Sequence, residues 1–247
     1  MESNDNNINE YIIKELTIDE IKCHIYYYDN TPINKIIYWI ENFTLKAPEI
    51  LKTLTNLKNY FIIGISIDDW NTNLTPWYCP RLFGKKNNDF KGQGQKTFDW
   101  LINKCIPNIE KDFTNVFDKN KIYRYIGGYS LSALFSLWVF YSDKNKNEKI
   151  FNGVCACSPS LWYKKWDEYM QDRGAPEESI VYLSLGDKEG HTKNETFQKM
   201  RTGMDAMIER VKNDKGIKSY FYEEHKGGHY DEAHLRMAKA LKWLIEN

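Results

Sequence analysis

The sequence predicts an α/β fold, a mostly parallel central sheet of about eight strands flanked by helices, and three observations carry that expectation. Short β-branched and aromatic runs alternate with helix-period stretches over the later part of the chain. Two such runs near the amino terminus follow each other directly, which suggests an antiparallel start. One apolar run turns into a helical pattern at Gly127-Gly128-Tyr129-Ser130-Leu131-Ser132-Ala133, with a small residue two positions to either side of the central serine.

Taken in order, strands are expected at 11–16, 21–28, 36–40, 60–67, 123–127, 153–157, 179–185 and 217–223. Helical patterns fall at 95–112, 131–141 and 195–212, and an amphipathic one closes the chain at 231–246. The resulting β-α alternation is that of a largely parallel sheet. With 247 residues and 42% hydrophobic content, the chain suits a single α/β domain over 1–247, with 1–10 as a flexible tail. No Pro/Ser-rich linker or repeat divides it.

The turn around Ser130 carries the chemistry. A serine at the tip of a strand-to-helix turn brings the residues two positions before and after it into contact, so only small ones fit. Gly128 and Ser132 occupy those positions, and Ser132 reads as a packing residue. Leaving the turn by a helix aims the backbone N–H of Leu131 at whatever Ser130 attacks, where the helix N-terminus supports a developing oxyanion.

A serine nucleophile needs a base and an acid that orients it, and strand-loop enzymes of this kind order them Ser, Asp/Glu, His. Asp187 and Glu189 both follow the run Ile180-Val181-Tyr182-Leu183-Ser184-Leu185-Gly186, at a strand's end. Either is a candidate acid. His229 lies between a strand-like run and the last helical pattern, in a loop that Gly227 and Gly228 free to swing inward. All three positions are at strand C-terminal ends, where open α/β sheets carry their sites. A metal reading of His225 and His229 fails, because i,i+4 spacing serves a metal on a helix and the two glycines disfavour one. No metal or organic cofactor is expected.

The strand at 60–67 leads into a long loop from Asp69 to Phe83 on the same face, in which Trp70 and Trp77 are candidate pocket walls. Trp162 is a third. Lys+Arg and Asp+Glu each total 34, so the formal net charge is zero and the basic footprint that nucleic acid or an anionic membrane demands is missing. A small-molecule ligand is the expected partner, with the chain a monomer or homodimer. The polar, acidic start lacks the regions of a secretory signal, and no apolar run reaches membrane-spanning length, so a cytoplasmic location is expected. Five cysteines, an odd number, read as reduced buried thiols.

Several blocks together resemble a known family. Ile65-Ser66-Ile67-Asp68-Asp69-Trp70-Asn71, Leu74-Thr75-Pro76-Trp77, Gly127 to Phe135, Ser158-Pro159-Ser160-Leu161-Trp162-Tyr163 and Gly228-His229-Tyr230 look like the esterase branch of the α/β-hydrolase superfamily that includes esterase D and enterochelin (siderophore) esterases. The likeness runs from about residue 36 to 244. It implies an α/β-hydrolase fold and an ester-cleaving serine hydrolase, with Ser130 on the nucleophile and His229 on the general base. It favours Glu189 as the acid, three residues past the strand-ending glycine, with Asp187 the alternative. It implies a second oxyanion donor from the backbone of Asn42 or Phe43, and makes Arg81 a candidate contact for an anionic or catecholate substrate. Glu41 precedes that pair, where an ionised carboxylate would oppose an oxyanion. The alternatives are a non-catalytic binding protein on this fold and an acyltransferase using the same acyl-serine chemistry.

Overall fold

In the computed structural model of the chain the described residues are 11–29, 32–41, 46–81, 89–118, 121–191, 193 and 195–247. The expected tail at 1–10 lies outside them. β1 (Tyr11–Ile18) and β2 (Ile21–Tyr28) form an antiparallel hairpin closed by Asp19 and Glu20, both at positive φ (48° and 69°). Two left-handed residues in a two-residue loop match the right-handed twist of the strands they join. β2 then pairs antiparallel with β4 (Tyr60–Ser66). The remaining ladders of this sheet are parallel and join β4, β3 (Lys35–Glu41), β7 (Tyr123–Tyr129), β8 (Gly153–Cys157), β9 (Ser179–Gly186) and β10 (Ile217–His225). The sheet order is β1-β2-β4-β3-β7-β8-β9-β10.

Central strands buried on both faces read as continuous apolar runs, and β3, β4, β8 and β9 do so. Side chains alternate between two cores. Ile36, Tyr38, Ile40, Ile126, Val154 and Leu183 face α5 (Leu131–Phe140), whereas Ile37, Trp39, Tyr125, Cys155 and Tyr182 face α9 (Ala233–Glu246). Every residue of α5 is buried, as its all-round apolar sequence requires. α9 instead buries one stripe, Met237, Ala240, Leu241, Leu244 and Ile245, and packs beside α1 (Ala47–Leu54). α1 opens on a proline, a helix-start signal that its short sequence concealed among loop residues.

The helix expected at 95–112 is interrupted. α3 (Gly94–Trp100) and α4 (Ile106–Asp112) flank a π-helical turn, Leu101–Cys105. Pro107 has no N–H for the α ladder and its ring crowds the carbonyl four residues back, so the preceding turn widens. Among its described residues the long loop after β4 holds α2 (Trp70–Asn73) and a two-stranded ribbon of β5 (Tyr78–Cys79) and β6 (Phe90–Lys91). The later helices are α6 (Asp143–Glu148), α7 (Trp166–Met170) and α8 (Glu195–Asn213). All five cysteines are buried and unbridged. Among the described residues no helix is long and apolar enough to cross a membrane.

Candidate active site

β7 ends one residue before Ser130, whose backbone takes φ 62° and ψ −119°, and α5 begins one residue after it. A β-carbon-bearing residue at such dihedrals costs on the order of 1–3 kcal/mol and persists only where its surroundings over-determine it. They do here. Ser130 N donates to Cys157 O at 2.9 Å, while Ser130 O accepts from Leu134 N at 3.1 Å and Ser160 N at 3.2 Å. Ser132 Oγ accepts from Tyr129 N and donates to Tyr129 O, each at 2.9 Å. A β-carbon on Gly128 would stand 2.5 Å from Ser132 Oγ and 2.7 Å from its carbonyl carbon, so this turn closes only on glycine. Leu131 is the first residue of α5, and the first N–H groups of a helix have no intrahelical acceptor.

The loop after β10 brings His229 over this turn. Its Nε2 stands 2.9 Å from Ser130 Oγ and its Nδ1 stands 2.7 Å from Glu189 Oε2. Gly227, at φ 109°, makes the bend, and a β-carbon there would meet the Asp231 carboxylate at 2.5 Å. Tyr129 OH donates to His229 O at 2.5 Å, tying the loop to the end of β7. Glu189 is 5% exposed. Its second oxygen, Oε1, accepts from Ser158 Oγ at 2.6 Å, Gly186 N at 2.8 Å and an Arg236 guanidinium N–H at 3.0 Å. Burial pushes the Glu189 carboxyl up, but the hydrogen bonds from His229 and Ser158, the His229 charge and the Gly186 amide outweigh it, holding the group below the usual carboxylate range. It is ionised at neutral pH.

Asp187 does not meet His229. Its carboxylate accepts from Gly227 N at 2.7 Å and braces the histidine loop through the backbone. Glu41, at the end of β3, is 2% exposed with both carboxylate oxygens unpartnered among the described residues. Burial pushes it up to about 9, so it stays protonated and neutral at pH 7. Asn42 and Phe43, the expected second oxyanion donors, lie outside the described residues.

Of the expected pocket residues, Trp77 serves as a strut, its Nε1 donating to Lys164 O at 2.8 Å and its ring lying 5.8 Å from Tyr163. Trp162 is half-buried against Phe90, Tyr163 and Phe197, on the segment whose Ser160 N–H reaches Ser130 O. Trp70 is half-buried against the core in α2. Arg81 is exposed, its backbone N–H held by Asp89. Two surface clefts, of about 740 Å³ between α7 and α8 and about 510 Å³ beside Asp187 and His191, include none of Ser130, Glu189 and His229 in their linings.

Sequence reading missed Arg236 and Ser158 as partners of Glu189. Arg236 is 1% exposed, inside the buried stripe of α9. An arginine at a stripe position was the available signal, because a cation is buried only when paired.

No family model matches the chain, and no curated protein matches it in sequence. Its structure is similar to the siderophore hydrolase EstA from Aspergillus nidulans, at 14% identity and TM-score 0.71, covering 96% of this chain and 95% of that one. It is similar to an IroE-like serine hydrolase from Shewanella oneidensis, at 14% identity and TM-score 0.78, over 96% of this chain and 80% of the other. It is also similar to BES protein from Bacillus cereus, at 20% identity and TM-score 0.71, over 99% of both. The fold of the chain is the α/β-hydrolase fold.

Proposed function

We propose that the chain hydrolyses carboxylic esters of small molecules through an acyl-serine intermediate, with Ser130 as nucleophile, His229 as general base and Glu189 as the acid that orients it. One observation carries the reading: an unbroken hydrogen-bonded line from Glu189 Oε2 through both nitrogens of His229 to Ser130 Oγ, at 2.7 and 2.9 Å. An ionised Glu189 assigns the imidazole proton to Nδ1, which leaves Nε2 to accept from the serine. As Oγ attacks the ester carbonyl, Nε2 takes its proton, and the Leu131 N–H at the start of α5 meets the oxyanion. The imidazolium then protonates the departing alkoxide. Water, deprotonated by the same nitrogen, attacks the acyl-serine and releases the carboxylic acid. Each step uses groups of this chain and water. A neutral Glu41 adds no negative charge beside the oxyanion.

Fluorophosphonate labelling of wild type and Ser130→Ala, with p-nitrophenyl acetate and butyrate turnover measured on both, tests the reading. Labelling and turnover in wild type alone are the expected result. A well-folded wild type that neither labels nor turns over ester would sink it in favour of a binding protein. Labelling without hydrolysis would instead favour acyl transfer to an alcohol. Two of the similar structures are named siderophore hydrolases, which makes a siderophore ester the first natural substrate to assay.

A further inference from the structure

Resting on that ester-hydrolysis reading, we propose that Arg236 is a positioning residue that sets the geometry between Glu189 and His229 from the C-terminal helix. The guanidinium forks. One nitrogen, NH1, donates to Glu189 Oε1 at 3.0 Å and lies 3.2 Å from Tyr129 OH, and the other, NH2, donates to Gly228 O at 2.8 Å. A single rigid plane thereby ties the acid to the residue immediately before His229, and through Tyr129 to the strand that delivers Ser130.

A glutamate needs such a clamp more than an aspartate does. Its side chain has one more rotatable bond, so holding Oε2 against Nδ1 requires that Oε1 be pinned as well. Gly186 N and Ser158 Oγ pin it from β9 and from the segment after β8. Of its three described partners, Arg236 is the one that also bonds the histidine's own loop directly.

Stability alone does not account for this group. Arg236 is 1% exposed and its Nε has no partner among the described residues, an arrangement that carries a desolvation cost. A buried ion pair replaced as a whole by well-packed apolar residues commonly loses no stability, whereas removal of one partner alone is destabilising. What an apolar side chain cannot supply is the fork.

The test compares wild type, Arg236→Met and Arg236→Lys in three readouts: cooperative unfolding, kcat and KM on p-nitrophenyl butyrate, and the low-field proton NMR resonance of His229 Nδ1–H, assigned with His229→Ala. Arg236→Met is expected to fold, to lose roughly 10²-fold in kcat with little change in KM, and to lose or broaden the low-field resonance, because a misplacement of about 1 Å in a catalytic array costs about that much. Arg236→Lys keeps the charge but not the fork, and is expected to fall between the two. It also serves as the readable variant if Arg236→Met fails to fold. A folded Arg236→Met with wild-type kcat and an unchanged resonance would overturn the proposal. Absence of turnover in wild type would overturn the ester-hydrolysis reading instead. The resonance reports on Arg236 independently of turnover.

Discussion

Glu41 and Glu189 are both buried and titrate in opposite directions, because among the described residues one has no hydrogen-bond partner and the other has four. Glu41 retains its proton up to about 9 in the fold against an ordinary 4.5. Its contribution to stability is therefore fully present below pH 4.5 and declines as pH rises towards 9, a loss of about 3 kcal/mol by pH 7 at about 1.4 kcal/mol per pH unit. Glu41→Gln removes that slope. Urea unfolding from pH 5 to 9 should find the variant gaining on wild type as pH rises, and parallel curves would refute the burial argument. Glu189, lowered in the fold, contributes in the reverse sense: its stabilisation is present above the ordinary carboxylate range and lost as pH falls through the lowered value. For activity, Glu189→Gln is expected to reduce kcat by roughly 10³–10⁴-fold through the wrong histidine tautomer. Asp187→Asn keeps an acceptor for Gly227 N and should retain most turnover. Steady-state kinetics on both variants decides which carboxylate works with His229.

At the scale of elements, the turn between β7 and α5 is tightly constrained. It combines a positive φ at Ser130 with a contact at Gly128 that admits no β-carbon. Gly128→Ala is expected to destabilise the protein by about 1–3 kcal/mol through overpacking and to slow fluorophosphonate labelling, since the clash falls on the helix start that carries Leu131 N. Wild-type stability and labelling would mean that the turn relaxes at no cost. The turn was legible in the sequence because its requirement is local, small residues two positions on either side of a serine. The break between α3 and α4 was not read, although Pro107 stood in plain view. A proline ends, kinks or widens a helix depending on whether the flanking turns are buried, and Leu101 and Cys105 are buried here. α1 and α6 were missed because, at eight and six residues, each is too short for a helical period to stand out.

For the molecule as a whole, 34 positive and 34 negative side chains leave no net charge at neutral pH. Colloidal repulsion is then weakest near pH 7, and light scattering across pH 5–9 should find self-association greatest there at low salt. A monotonic trend would show that patches, not net charge, govern association. The same scale decides the site. Parallel strands β7, β9 and β10 present their C-terminal ends on one edge of the sheet, so Ser130, Glu189 and His229 meet although about 100 residues separate the first from the last. From the sequence alone came the fold class, the eight principal strands, the antiparallel start, the serine turn, and Ser130, His229 and the two carboxylates Asp187 and Glu189 as site candidates. Only the tertiary structure decided the strand order, which carboxylate faces His229, the burial of Glu41 and the place of Arg236 beside Glu189. Periodicity and tight turns are set by neighbours along the chain and can be read from it, whereas pairing across loops and the titration of buried groups depend on what packing brings together and how much water it removes.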